Sequence, residues 1–118
     1  MSEFLSVRPN LEVSSLEPTV GHLVDVFGFD VEVLEDEMGL ALLHRDGVGL
    51  AVVRTAAPAV NATTALYIGV TEVETLHAMS VDRGAKVVYP VTDHPWGLRD
   101  FVVEIPGRHR LAFGERTG

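Results

Sequence analysis

Five histidines, 17 acidic residues and no cysteine set the chemistry open to this 118-residue chain. Without thiols there is no disulfide, no thiolate metal site and no cysteine nucleophile. A divalent metal would need imidazole and carboxylate ligands. His22 and His77 fall in segments of helical periodicity, His44 and His109 near strand ends, and His94 beside the only Trp; no two stand i, i+4 on one helix. Ser6, Ser14, Ser15 and Ser80 carry no nucleophile-elbow motif. The histidines therefore read as scattered rather than as a metal centre, and no nucleophilic triad is expected. Trp96, in Asp93-His94-Pro95-Trp96-Gly97, is a better candidate. Pro95 stiffens the loop, and an indole held there can stack on a flat ligand for about 1 kcal/mol beyond area burial. Its competing role is packing, against the strand start or a dimer interface.

The elements that must position these residues come twice. Val13-Ser14-Ser15-Leu16-Glu17 and Val70-Thr71-Glu72-Val73-Glu74 each read as a strand end, a hydroxyl N-cap at Ser14 or Thr71, and a Glu three residues on, a capping box. The first half predicts a strand over 4–13, a helix over 16–27 with Pro18 in its first turn, and strands near 30–35, 38–44 and 48–54. The second half predicts a strand over 64–70, a helix over 72–83, and strands near 86–91, 98–104 and 109–115. The fold class is α+β: two tandem βαβββ modules forming a curved mixed sheet with a cleft. One domain spans residues 1–118, with module one at about 4–54, a linker at about 55–63 and module two at about 64–116. A duplicated unit implies a pseudo-twofold axis, and a cleft between its halves.

Composition narrows the partners. The chain is 47% hydrophobic and 22% charged, an ordinary globular balance, with no apolar run long enough to cross a bilayer. A net charge of −8 argues against nucleic acid and suits either solubility or a cationic ligand. Met1-Ser2-Glu3-Phe4 has neither a basic region nor an apolar signal core, so a cytoplasmic location is expected. Glu32, Glu35, Asp36 and Glu37 form an acidic run that reads as a solvated hairpin or as a docking surface for a cationic tail.

Three motifs resemble those of the vicinal oxygen chelate superfamily of glyoxalases, bleomycin resistance proteins and extradiol dioxygenases. Phe27-Gly28-Phe29 is similar to its helix-ending "LGF". His94-Pro95-Trp96-Gly97-Leu98-Arg99-Asp100-Phe101 resembles the "PWGxRxF" of bleomycin resistance proteins. The segment from Ile105 through Pro106-Gly107 to Phe113 resembles the "DPxGxxLxF" that opens the last strand, with Ile105 in place of Asp and Arg108 in place of Gly. The resemblance implies a homodimer with clefts completed by the partner chain, and a ligand-stacking role for Trp96. Superfamily enzymes hold a divalent metal with His and Glu, but the matching positions are Arg8, Ala51, Ala65 and Ala112 (or Val53, if the register slips), and none can ligate. No metal and no cofactor are expected.

Strand parity then puts Arg8, Asn10, Glu12, Ala51, Val53, Ala65, Tyr67, Arg110 and Ala112 on the open face, a small and polar lining. Arg99 contacts ligand or pairs with an acid, and Phe29 covers a cleft edge or packs in the core. The expected ligand-binding set is Trp96, Arg8, Asn10, Glu12, Tyr67, Arg99, Phe29 and Arg110. The leading expectation is a metal-free small-molecule binder of the bleomycin-resistance type, sequestering an aromatic or cationic ligand such as an antibiotic. The alternatives are a superfamily lyase, isomerase or dioxygenase with a displaced metal site or with acid–base chemistry from Glu12, Tyr67 or a His, and a domain that only dimerises or serves a regulatory partner.

Overall fold

A computed structural model of the chain describes residues 1–61 and 63–118; Ala62, within the expected linker, lies outside the described residues. The order is β1 (Asn10–Val13), α1 (Leu16–Asp25), β2 (Asp30–Glu35), β3 (Leu40–Arg45), β4 (Val48–Arg54), then β5 (Leu66–Gly69), α2 (Val73–Asp82), β6 (Lys86–His94), β7 (Leu98–Glu104) and β8 (Arg110–Arg116). This is the expected α+β pair of βαβββ modules. Within the chain the strands make two four-stranded ladders, β1-β4-β3-β2 and β5-β8-β7-β6, with β1 parallel to β4 and β5 parallel to β8. Each helix closes on a left-handed glycine. Gly28 (φ 71) lets its own N–H reach Val24 O and that of Phe29 reach Leu23 O.

The first strand is shorter than expected. The ladder with β4 begins at Asn10, because Pro9 has no N–H to offer and gives only its carbonyl, to Ala51 N at 2.9 Å. Phe4, Leu5 and Val7, read as strand residues, stand 98%, 84% and 82% exposed.

The capping boxes also need correction. Ser15 rather than Ser14 precedes the first turn of α1, and neither helix has a cap hydrogen bond from the side chain of its N-cap residue. The N-cap of α2 is Glu72, in left-handed backbone (φ 52), not Thr71. Its free N–H groups go to a distant strand: Glu115 Oε2 accepts from Glu72 N at 3.0 Å and Oε1 from Val73 N at 3.2 Å. A carboxylate with two accepting oxygens, favoured by the helix dipole, displaces a hydroxyl that has one. Glu115→Ala is accordingly expected to lower stability by about 1–2 kcal/mol. Thr71→Ala should stay within a few tenths, ~0.3 kcal/mol, by urea denaturation, and a larger loss at Thr71 than at Glu115 would reverse the assignment.

The modules meet on their helix-facing sides. Phe27 stacks on Phe113 (centroids 5.1 Å apart) and Phe113 on Phe101 (5.4 Å), so one aromatic column runs from the end of α1 into the second ladder. Leu11, Leu23, Leu43, Val52, Val103 and Leu111 pack the same core. Thr19 donates to Pro106 O at 2.7 Å, and buried His109 donates from Nε2 to Glu12 O at 2.7 Å. The turn into β8 keeps its sharp shape despite its departure from the family pattern. Arg108 itself takes φ 70, and the Ile105 N–H donates to His109 O at 2.9 Å across it.

Candidate functional site

Alternation along β5, β7 and β8 divides module two into two faces. Leu66, Ile68, Phe101, Val103, Leu111 and Phe113 turn to the helix, while Tyr67, Asp100, Val102 and Ala112 turn outward. β6 adds Tyr89 opposite Val102, where the ladder slips by a bulge around Pro90. The outward face holds a cavity of about 540 Å³, lined by Ala65, Tyr67, Tyr89, Thr92, His94, Asp100 and Ala112 among others. All of its lining residues belong to module two.

Three polar groups form a chain in its wall. The Tyr67 hydroxyl donates to Asp100 Oδ2 at 2.9 Å, and His94 Nε2 meets Asp100 Oδ1 at 2.7 Å. Tyr67 reaches across β8 to Asp100 because residue 114 is Gly; a Cβ there would collide with the phenol oxygen. The phenol is pushed up to about 12 by partial desolvation, by its bond to Asp100 and by that carboxylate's charge. Its contribution to stability is thus full below the ordinary value near 10 and is lost as pH rises from about 10 to 12. An ultraviolet titration of wild type and Tyr67→Phe should show one phenol of wild type ionising late. Asp100→Asn should bring that step back toward the ordinary range, and an unmoved step would break the link.

Trp96 sits at the hairpin between β6 and β7. Pro95-Trp96-Gly97 forms a tight loop, with Gly97 at φ 87 and its N–H on His94 O at 3.1 Å. The indole is 68% exposed and stacks face to face on His94, centroids 4.5 Å apart and planes 8° apart. It therefore backs the imidazole that lines the cavity, and its outer face is open.

The other expected residues lie elsewhere. The Arg8 guanidinium lies against Gly49, donates to Leu43 O and Leu50 O and stands 3.6 Å from Glu32, on module one. Exposed Asn10 and half-buried Glu12, whose carboxylate accepts from Ala59 N, are also outside the cavity. Arg99 takes the pairing role: its Nε is 2.6 Å from Asp93 Oδ1, and that bond holds the Asp93 carboxyl below the usual range. Arg110 faces Glu104 at 3.8 Å, and Glu104 is held low first by its bond from Lys86. Phe29 is 4% exposed and packs in the core rather than at a cleft edge. His94, Asp100 and Tyr89 were missed. The alternation Asp100, Val102, Glu104 against Phe101 and Val103 carries the signal for Asp100, on a strand outside the parallel pairs β1–β4 and β5–β8 that supplied the expected lining.

Residues 7–113 match a family model described as the Glyoxalase/Bleomycin resistance protein/Dioxygenase superfamily. The chain belongs to this superfamily. No curated protein matches in sequence. Among solved structures, TioX from Micromonospora sp. ML1 is 27% identical, with a TM-score of 0.81 over 96% of this chain and 99% of that one. The bleomycin-binding protein of bleomycin-producing Streptomyces verticillus, solved with copper(II)-bleomycin, is 25% identical, with a TM-score of 0.79 over 96% and 97%. A glyoxalase-related enzyme from Clostridium phytofermentans, 14% identical, has a TM-score of 0.81 over 98% and 97% and shows the shared fold. The positions that the resemblance assigns to the enzymes' metal ligands carry Arg8, Ala51, Ala65 and Ala112, side chains that do not suit a divalent ion, and among the described residues no three His, Asp or Glu side chains converge to hold one. Among the described residues, no helix is long and apolar enough to cross a membrane.

Proposed function

We propose that the chain is a metal-free, cytoplasmic small-molecule binding protein of the bleomycin-resistance type, which sequesters a flat aromatic or cationic ligand in the module-two cavity. The observation that carries this reading is the cavity itself: aromatic walls around one carboxylate, Asp100, with Trp96 stacked on the lining His94. Arg8 and three alanines, Ala51, Ala65 and Ala112, stand at the positions that the resemblance gives to metal ligands. The name of the bleomycin-binding protein, 25% identical, supports it in kind but not in ligand.

The working unit is a homodimer in this reading. Phe4, Leu5, Val7, Tyr67, Tyr89 and Trp96 are exposed apolar or aromatic groups, and the cavity has no cover from module one of the same chain. A second copy laying its module one over the cavity would bring Arg8, Asn10 and Glu12 to the ligand. Sedimentation at micromolar concentration should then give twice the chain mass, and a clean monomer sinks this part.

The binding test uses Trp96 as the only indole. A screen of aromatic and cationic antibiotics, read by its fluorescence, should find a binder. Trp96→Ala should weaken that binder by about 1–3 kcal/mol in calorimetry. Unchanged affinity in a folded variant assigns Trp96 to packing. A second reading, a superfamily enzyme using metal-free acid–base chemistry, is favoured by the 2.7 Å contact of His94 with Asp100, which suits a general base. Turnover of a bound ligand, abolished in His94→Gln, would select it.

A further inference from the structure

The cavity offers one imidazole that is fixed on two sides and free on a third. At its edge, Nε2 meets Asp100 Oδ1 at 2.7 Å. An ionised carboxylate only accepts, so the proton between them belongs to Nε2. Asp100 cannot swing away, because its other oxygen accepts from Tyr67 at 2.9 Å. One ring face is covered by Trp96. What remains is Nδ1. No described residue bonds to it, and unlike Nδ1 of His44 and His109 it is not sealed from solvent. In the neutral ring, a proton fixed on Nε2 leaves the lone pair on Nδ1. The nearby cations are occupied, Arg99 by Asp93 and Arg110 by Glu104.

We propose that His94 is the specificity-determining acceptor of this cavity. It selects flat aromatic ligands carrying an N–H or hydroxyl donor at the ring edge, with Nδ1 accepting and Asp100, Tyr67 and Trp96 acting as positioning residues. The inference rests on the reading of the cavity as an aromatic-ligand site. The rest of the wall gives it force. Pro90, Val102 and Ala112 offer no side-chain partner, while Thr64, Thr92 and Tyr89 add hydroxyls elsewhere in the lining, so a ligand seated against His94 without a donor would leave Nδ1 unpaired. A site built to pair a donor rejects the isostere that lacks one far better than an apolar pocket rejects an added group.

The probes are 6-aminoquinoline and 6-methylquinoline, nearly equal in shape, of which only the first donates. Binding is followed by amide chemical shifts of Ala65 and Ala112, at a pH where the imidazole nitrogen shifts show His94 neutral. Wild type should favour the amine by about tenfold. The nitrogen spectrum should show Nε2 protonated and Nδ1 not. His94→Phe should keep 6-methylquinoline binding and lose the preference. In Asp100→Asn the amide can donate to Nε2 and drive the proton to Nδ1, so the preference should vanish together with a switched tautomer. Equal binding of both quinolines in wild type, or a preference that survives His94→Phe, overturns the acceptor role and leaves the aromatic site standing. No shift at Ala65 or Ala112 with either quinoline overturns both. If His94→Phe does not fold, the wild-type ratio and Asp100→Asn decide.

Discussion

Phe27→Ala is expected to lower the unfolding free energy by about 3–5 kcal/mol. The ring is 1% exposed. It lies flat on Phe113 and meets the edge of His22 at 5.7 Å, so its removal leaves a void bounded by both modules. A void there cannot collapse easily, because the backbone at Phe27 is held as well: its carbonyl accepts from Arg45 Nη1 at 2.7 Å. Truncation thus combines the lost transfer energy of the ring with the lost contacts of its neighbours. Urea denaturation with unchanged slope is the measurement. A loss under about 1 kcal/mol would mean that the column is not what joins the modules.

Gly107→Ala should cost about 3 kcal/mol, and a matched control separates its two causes. Gly107 and Gly84 share a φ of 95, where any Cβ is strained. At Gly84 nothing lies within 4 Å of the added carbon, so Gly84→Ala reports the strain alone, about 1–2 kcal/mol. At Gly107 the same carbon would stand 2.8 Å from Val13 Cγ1 and 3.3 Å from Thr19 Oγ1, both fully buried. The difference between the two variants therefore measures how tightly the β7–β8 turn is wedged against β1 and α1. Equal losses at the two positions would show that the contact yields freely.

Much of this architecture was legible because it is written in short-range patterns. The alternation of Leu111 and Phe113 with Arg110 and Ala112 identifies the buried face of β8, and the left-handed glycines at 28 and 84 mark the ends of both helices. What could not be read depends on residues far apart in sequence. The hydroxyls of Ser14 and Thr71 fit a capping rule that looks three residues ahead, whereas the true cap of α2 comes from Glu115, over forty residues away. The first strand failed for a related reason: alternation continues through Leu5 and Val7, but a strand needs a partner, and β4 ladders with β1 only from Asn10. In the candidate site, residue type pointed to Trp96 and parity to Tyr67, and both lie at or beside the cavity. Arg8, Arg99 and Arg110 were attractive only as charges, and each found a nearer oxygen on its own module. His94 was read as one of several scattered histidines because the Asp that orients it comes from the next strand.

The distant cap on α2 also dictates an order of events when the chain is made. β5 has no ladder neighbour in module two other than β8, and β8 is the last strand of that module to be synthesised. The first turn of α2 waits for the same strand, since both of its capping oxygens belong to Glu115. Until β8 has left the ribosome, β5 and α2 can be present only as an unpaired edge and a frayed ten-residue helix, too short to persist alone. Module one closes on β4 well before that. A nascent chain halted before residue 110 should therefore expose Leu66, Ile68 and Val73 to chaperones, and the arrival of one strand should hide all three at once.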